Sequence, residues 1–406
     1  MTTTINNEQN KLNVPNSTDR GNVIRNVPHL RFPEFEGEWE DFLINDVCSE
    51  FKSGKNIKAD SISESGEYPV YGGNGLRGYT SSYNHEGLYV LIGRQGALCG
   101  NVRSVNGKTY ITEHAIAAAG NEKSNTSFLH YLFLKMNLGQ YSDQSAQPGL
   151  AVNKLLKLKV ILPSISEQTK IARLLSLLDE CIATQSKIID RLQSLIKGME
   201  DNLLDNPLWK KTYLRSFMQF FSTNSLSWEQ LSYEEGEIRN LHYGLIHGFL
   251  THGINSVSLP MIKNEAIPKQ YTLCQVGDVA FADASEDTGE IAKSVEFVDT
   301  IEGDTICGLH TIHGRDIKNR TVVGFKGFAF NSRYFHNQIK RLAQGTKVFS
   351  ITANNLSSCY VYLPDLEKQK AIVKLLRSYE EQLIIGRMIL KQYEKQKQYM
   401  LRQMFI

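Results

Sequence analysis

The chain has 406 residues, with 45 Lys+Arg against 43 Asp+Glu and a formal net charge of +2. That length has room for two domains with sizeable cores, and the charge balance excludes a global basic field, so any nucleic-acid surface must be local. The six cysteines (48, 99, 181, 274, 307, 359) form no CxxC pair, which argues against a disulfide framework or a zinc site and for a reducing compartment. No apolar run approaches the roughly 18 residues of a membrane span, and no signal-peptide pattern opens the chain, so we expect a cytoplasmic protein.

Residues 1–27 are rich in Thr, Asn and Ser and poor in apolar side chains, the composition of a disordered tail. A first globular segment, 28–163, opens on VPHLRFPEFEGEWEDFLINDV. It then alternates short β-type runs (Leu88 to Ile92, Lys108 to Thr112, Leu158 to Leu162) with Gly, Asn and Ser turns. One amphipathic helix is expected from Ser127 to Asn137. The glycine-rich stretches Gly72-Gly-Asn-Gly75 and Gly93-Arg-Gln-Gly96 lack dinucleotide-binding spacing and read as hairpin turns.

A long helix is predicted over 164–205, ended by Asn206-Pro207, with a linker at 206–225. A second globular segment, 226–363, has a shorter echo of the entry in LSWEQLSYEEGEI. β-type runs recur at Val279 to Ala282, Val322 to Phe325 and Ser358 to Leu363, with a helix from Ser332 to Leu342. A second long helix fills 364–406.

The two long helices are copies. They align without a gap at an offset of 201 residues, Leu162-Pro163 on Leu363-Pro364 and Gln168 on Gln369. Apolar positions step by four and three through Ile171, Leu175, Leu178, Ile182, Gln185, Ile189, Leu192, Ile196, Met199 and Leu203. The second copy gives Ile372, Leu376, Tyr379, Leu383, Gly386, Leu390, Tyr393, Lys397, Met400 and Met404. Seventeen of these twenty seam positions are apolar, so each helix needs a partner along its length. Ser164 and Asp365 are matching N-caps, with Glu167 placed to complete a capping box. We therefore expect a mixed α+β protein in which two α/β domains are joined by two long helices paired as an antiparallel coiled coil, with pseudo-twofold duplication. The alternative is that each helix only covers its own domain's core.

These residues carry a family resemblance. The entry VPHLRFPEFEGEWE resembles the start of specificity subunits of type I restriction-modification systems. So does Gln144-Ser-Ala-Gln-Pro-Gly-Leu-Ala-Val-Asn153, followed by Val160-Ile-Leu-Pro163, Glu167-Gln168 and Leu174-Leu175-Ser-Leu-Leu178-Asp179. The second copy keeps Gln344, Asn354, Leu363-Pro364 and Gln369, but has Lys368 for Glu167 and Tyr379-Glu380 for Leu178-Asp179. The resemblance implies a chain without a catalytic centre or cofactor of its own. Each target-recognition domain would read one half of a split, asymmetric double-stranded DNA sequence. The helices would bind two methyltransferase subunits, which use S-adenosylmethionine to methylate adenine. Restriction subunits, motor-nucleases working with ATP and Mg, would join that core.

The residues alone offer little catalysis. Asn206-Pro207-Leu208-Trp209 lacks the second proline of an adenine methyltransferase loop and reads as a helix stop. No GxxxxGK[ST] loop occurs. His242, His247 and His252 lie five apart, off one helical face, and His310 with His313 lacks a third metal ligand. Asp316-Ile-Lys318 has no partner carboxylate at a nuclease spacing. A self-sufficient DNA-modifying enzyme and a coiled-coil protein adaptor are the rival readings.

DNA reading needs Arg or Lys for guanine edges and phosphates and Asn or Gln for adenine. On expected loops of the first domain the candidates are Lys52, Lys55, Asn74, Arg77, Tyr79, Arg94, Gln95, Gln144 and Gln147. In the second they are Ser285, Thr288, His310, His313, Arg315, Arg333, Gln344 and Lys347. The Gln144 and Gln344 loops stand out because each precedes the same strand and helix in its half.

Overall fold

The structure, a computed structural model, describes residues 26–142, 148–248, 258–299 and 303–406. The expected tail therefore lies almost wholly outside the described residues. The chain divides into two compact units, one formed by residues up to Ser186 with Ile389–Ile406 and the other by Lys187–Met388.

The strands of the first unit are β1 (Glu40–Leu43), β2 (Cys48–Ser53), β3 (Tyr68–Gly72), β4 (Gly75–Thr80), β5 (His85–Glu86), β6 (Tyr89–Gly93), β7 (Val102–Val105), β8 (Lys108–Ile111), β9 (Ala115–Gly120) and β10 (Lys159–Leu162). One antiparallel sheet has the order β2-β9-β6-β7. The other has the order β4-β3-β8-β5, with β3 parallel to β8. β1 pairs with β10, Glu40 opposite Leu162. Both faces of the first sheet are covered, which is why β6 and β9 read as unbroken apolar runs rather than alternating ones. Val90, Ile92, Ile116 and Ala118 join the helix-side core, while Leu91, Ala115 and Ala117 pack toward the second sheet with Ile111. A helix at Thr126–Met136, capped by the Asn125 side chain, closes the helix-side core with Phe128 and Phe133.

The second unit repeats this plan. Its strands are β11 (Lys210–Tyr213), β12 (Met218–Phe221), β13 (Leu231–Ser232), β14 (Arg239–Leu241), β15 (Met261–Ile262), β16 (Val279–Ala282), β17 (Ala284–Ser285), β18 (Ser294–Glu296), β19 (Thr305–Cys307), β20 (Thr311–Asp316), β21 (Phe349–Ser350) and β22 (Tyr360–Leu363). The sheet β12-β20-β16-β18 matches β2-β9-β6-β7, and β16 again feeds two cores, Val279 and Phe281 into one, Ala280 and Ala282 into the other. β14 runs parallel to β19 as β3 does to β8. A buried ion pair, Lys326 Nζ to Glu296 Oε1 at 2.8 Å, closes the helix side of this sheet.

Two expectations are corrected. Residues 206–225, expected as linker, carry β11 and β12; Lys210 pairs with Leu363 as Glu40 pairs with Leu162. The structural echo of the entry strand is therefore Lys210–Tyr213, and the WEQLSYEEGEI stretch belongs to the second sheet. Val322 to Phe325, expected as a strand, instead turns through Gly324 at φ 91 into a short helix, Phe325–Ala329. A four-residue apolar run does not by itself distinguish the two states.

The long helices span Ile165–Leu204 and Leu366–Gln403. No seam position is exposed. In the first unit Ile171, Leu175 and Leu178 share one core with Met404 and Phe405, and Asp179 pairs with Lys397, so the start of one helix lies against the end of the other in antiparallel sense. In the second unit Leu204 shares a core with Ile372, Val373 and Leu376. The seam thus enters each unit's own core while it pairs the helices. Ile182, Ile189, Leu192, Tyr379, Leu383 and Leu390 are buried or half-buried along it.

The paired caps hold as well: Ser164 Oγ accepts from Glu167 N at 3.4 Å and Asp365 Oδ1 from Lys368 N at 2.9 Å. Glu167 completes no capping box, because its carboxylate takes a two-pronged bond from Arg31, both prongs 2.8 Å. Gln168 and Gln369, both fully buried, are equivalent clamps. Gln168 donates to Pro163 O and Lys123 O and accepts from Asn125 N; Gln369 donates to Pro364 O and Arg320 O and accepts from Val322 N.

Candidate nucleic-acid interface

In the first unit a cleft of about 390 Å³ opens between the β3–β4 turn and the loop after β6. It is lined by Gly72 to Arg77, Gln95, Gly96 and His114. The glycines are forced by close approach. A Cβ on Gly73 would lie 2.6 Å from His114 O, and Gly75 turns at φ +105 beneath the Arg103 guanidinium. Asn74 and Arg77 are exposed, and Arg77 lies across Gly72.

The loop after β6 is pinned at both ends of one residue: Arg94 N donates to His114 O at 2.9 Å, and Arg94 O accepts from Leu150 N at 2.9 Å. Gln95 bridges to Gly149, and its Oε1 lies 3.2 Å from His114 Nδ1. The arrangement gathers Asn74, Arg77, Arg94 and Gln95, four of the candidates, around a histidine the sequence reading did not single out.

The second unit builds the same loop with other side chains. Asp283 N donates to His310 O at 3.0 Å, and Asp283 O accepts from Ile351 N at 2.9 Å. Ala284 pairs with Ser350 where Gln95 bridges to Gly149. His310 Nδ1 lies 3.1 Å from Asp283 Oδ1. Asp283 thus stands where Arg94 stands, and His310 where His114 stands. His310 is held at φ 54, a left-handed conformation that costs a non-glycine residue about 1 kcal/mol or more and that folds tend to keep at working sites. Ser285 sits on β17, hydrogen-bonded to β21. Gln344 closes a tight loop through two backbone bonds with Ser350, 3.0 and 2.8 Å, and Lys347 stands exposed on it.

The remaining candidates separate. Tyr79, half-buried, is exchanged in two backbone bonds with Ser63 on the outer side of the β3–β4 hairpin. Lys55 is exposed beside Thr112, and Lys52 pairs with Glu50 at 3.2 Å on β2. Gln144 and Gln147 lie outside the described residues. Arg333 lines a different cavity of about 630 Å³ with Lys197, Glu200, Glu290 and His336. Burial, and then Asp201, push the Glu200 carboxyl up to about 7 there. Thr288 belongs to that side too, its carbonyl bonded by His336 Nε2 at 3.0 Å.

His313 is a correction to the candidate set, and Arg315 is tied to the same carboxylate. His313 is 1% exposed, with Nε2 bonded to Asp278 Oδ2 at 2.7 Å. Arg315 grips the same carboxylate through Nε and Nη2 at 2.8 and 2.7 Å. Burial alone would raise Asp278, yet the hydrogen bonds from Arg315 and His313 hold it below the ordinary value. These bonds stabilise the loop before β16; buried His313 presents no face to a duplex, whereas Arg315 stays part-exposed.

His114 and Arg103 are the residues sequence reasoning missed. The signal for His114 was present: His114-Ala-Ile116 recurs as His310-Thr-Ile312, at the start of the matching strands β9 and β20.

With this geometry in view, comparison with known proteins decides the family. The model of the type I restriction modification DNA specificity domain matches residues 36–194 and 310–395. The chain belongs to that family. It is 43% identical over 180 residues to the specificity subunit of the type I restriction enzyme EcoprrI of Escherichia coli, an alignment covering 43% of this chain and 44% of that one. This chain thus spans less than half the length of that relative in the match. To the MjaVIII specificity subunit of Methanocaldococcus jannaschii it is 25% identical over 400 residues, 91% of each chain. The crystal structure of the type I restriction-modification S subunit from M. genitalium shares the fold at a TM-score of 0.65, with 15% identity, covering 94% of this chain and 99% of that one. Among the described residues of this specificity-family chain, no helix is long and apolar enough to cross a membrane.

Proposed function

We propose that this chain is the DNA-reading component of a type I restriction-modification assembly, each half reading one part of a two-part double-stranded target. The observation that carries the reading is the doubly built loop: Arg94, Gln95 and His114 in one half, Asp283, Ala284 and His310 in the other, on the same backbone pairing, with Ser285 next to Ala284. One backbone with different polar groups is what two unequal half-sites require. Arg77, Arg103, Asn74 and Gln95 suit guanine and adenine edges, while Asp283 suits a cytosine amino group. Exposed Lys52, Lys55 and Lys347 serve phosphates, which fix position without carrying sequence information.

The chain supplies no chemistry in this reading. Methyl transfer to adenine from S-adenosylmethionine belongs to two methyltransferase subunits docked on the long helices. ATP- and Mg-dependent restriction belongs to motor-nuclease subunits. Both helices offer apolar side chains for such docking, among them Leu177, Ile188 and Leu195 on the first and Leu375, Ile385 and Met388 on the second, all at least 42% exposed.

Methylome sequencing of the source strain with and without the gene tests the reading. The expected result is one modified motif, two specified blocks separated by unread bases, that disappears with the gene. A methylome indifferent to the gene contradicts it.

A further inference from the structure

Beyond DNA reading, the second unit brings together three side chains that sequence spacing kept apart. Cys274 and Cys307 are 33 residues apart, yet their Sγ atoms lie 3.6 Å from one another. A donor atom of His313 joins them, all three within 4.8 Å and all buried. We propose that Cys274, Cys307 and His313 form a binding site for a thiophilic divalent cation of the zinc class, with a water completing the tetrahedron.

The separation of the two sulfurs suits that ion. With Zn–S near 2.3 Å and Zn–N near 2.0 Å, tetrahedral angles place two ligand sulfurs about 3.8 Å apart and a sulfur and a nitrogen about 3.6 Å apart. The sulfur pair is already at that separation, whereas a disulfide of about 2.05 Å would need closure of about 1.5 Å. The histidine is prepared as well. Asp278 accepts from Nε2 at 2.7 Å, which leaves Nδ1 as the ring's lone-pair donor. A carboxylate behind the imidazole is the usual outer partner of a metal-bound histidine. Asp278 is itself fixed by Arg315 and by Gln275 N at 2.8 Å. Two buried thiols alone would be small apolar fillers; a buried histidine beside both, held by a fixed carboxylate, is what points to an ion.

The three ligands come from separate places: the loop before β16, strand β19 and strand β20. A cation here would tie both sheets of the second unit together, three residues from His310, and the first unit has no cysteine on β8 and no histidine on β9. The role is structural.

The test uses the full chain, purified untagged under reducing conditions. Metal analysis is expected to find about one zinc per chain, falling at least fivefold in Cys307→Ser and His313→Gln and unchanged in Cys181→Ser, whose cysteine is exposed and distant in sequence. Because the site variants can lose metal by misfolding, the wild-type chain is also stripped with a chelator and loaded with Co²⁺. A sulfur-to-cobalt charge-transfer band with tetrahedral d–d absorption, and a melting temperature restored by Zn²⁺ but not by Mg²⁺, support the site. A folded, metal-free chain whose Cys274 and Cys307 are both open to alkylation after unfolding, and which shows no cobalt band, overturns it. So does a Cys274–Cys307 disulfide found by peptide mass spectrometry.

Discussion

The two halves share a backbone and differ in charge where the loop is exposed. After β6 the first half places Arg94 and Gln95, with Asn74, Arg77 and Arg103 across the cleft. After β16 the second half places Asp283, with Ser285, Glu286 and Asp287 following. The hydrogen bonds that hold these loops are carried by main chain: Arg94 and Asp283 each donate to a histidine carbonyl and accept from a later backbone N–H, that of Leu150 or Ile351. A loop held by its backbone leaves its side chains replaceable. The supports are the reverse. Gln168 and Gln369 make the same side-chain bonds in both units, each donating to the carbonyl of the matching Pro163 or Pro364, and Leu175 and Leu376 are both fully buried.

The largest effects should come from the shared supports. Leu175 and Leu376 are both 0% exposed, so Leu175→Asp or Leu376→Asp buries an unpaired charge at a cost of several kcal/mol. Limited proteolysis should release fragments of the first unit in one variant and of the second in the other. Identical digestion of both variants and wild type would mean the seam is not buried.

Acid should separate the halves next. Burial, followed by the charge of Lys397, lowers His130 in the first unit from 6.5 to about 4. The unfolded chain therefore takes up this proton before the folded one does. Its effect on stability is nil above pH 6.5 and grows into a loss of up to about 3 kcal/mol as pH falls to 4. His130→Phe should flatten that part of the melting profile between pH 7 and 4.5. An unchanged slope in the variant would assign the acid sensitivity elsewhere.

The glutamine clamps come third. Gln168→Ala and Gln369→Ala each strand two carbonyls and one N–H, for a loss of about 2 kcal/mol. Equal shifts in denaturant midpoint are expected from the two variants. A marked inequality would show that the matching bonds are not energetically equivalent.

How far this was legible follows from the range of each interaction. The long helices were readable because a 3.5-residue seam repeats locally over many turns. β16 was readable at its true bounds, Val279–Ala282, since four consecutive apolar residues with both faces covered form a strand signal. Lys210–Tyr213 was not, because Lys210-Lys211-Thr212-Tyr213 carries no apolar pattern and becomes a strand only by pairing with Tyr360–Leu363. The candidate interface was half legible. Glycines and amides near turns marked Asn74, Arg77, Gln95 and Gln344. His114 and Arg94 meet only through strands brought together by folding, and His313 looked like a surface histidine until Asp278 was seen to hold it. The cysteine–histidine cluster was not visible for the same reason: spacing rules see residues close in sequence, and these come from three segments.

The central claim is that each loop reads its own half of one target, and half-specific substitution tests it most directly. Asn74→Ala with Gln95→Ala, and separately Ser285→Ala with Gln344→Ala, would be assembled with the methyltransferase partners and mapped for methylation on a randomised DNA library. Each amide that contacts an adenine edge contributes about 1–3 kcal/mol of base discrimination. The account predicts relaxed specificity in one block of the motif for the first pair and in the other block for the second, with the untouched block unchanged in each case. Loss of affinity spread evenly over all sequences, or relaxation of the same block by both pairs, would contradict it.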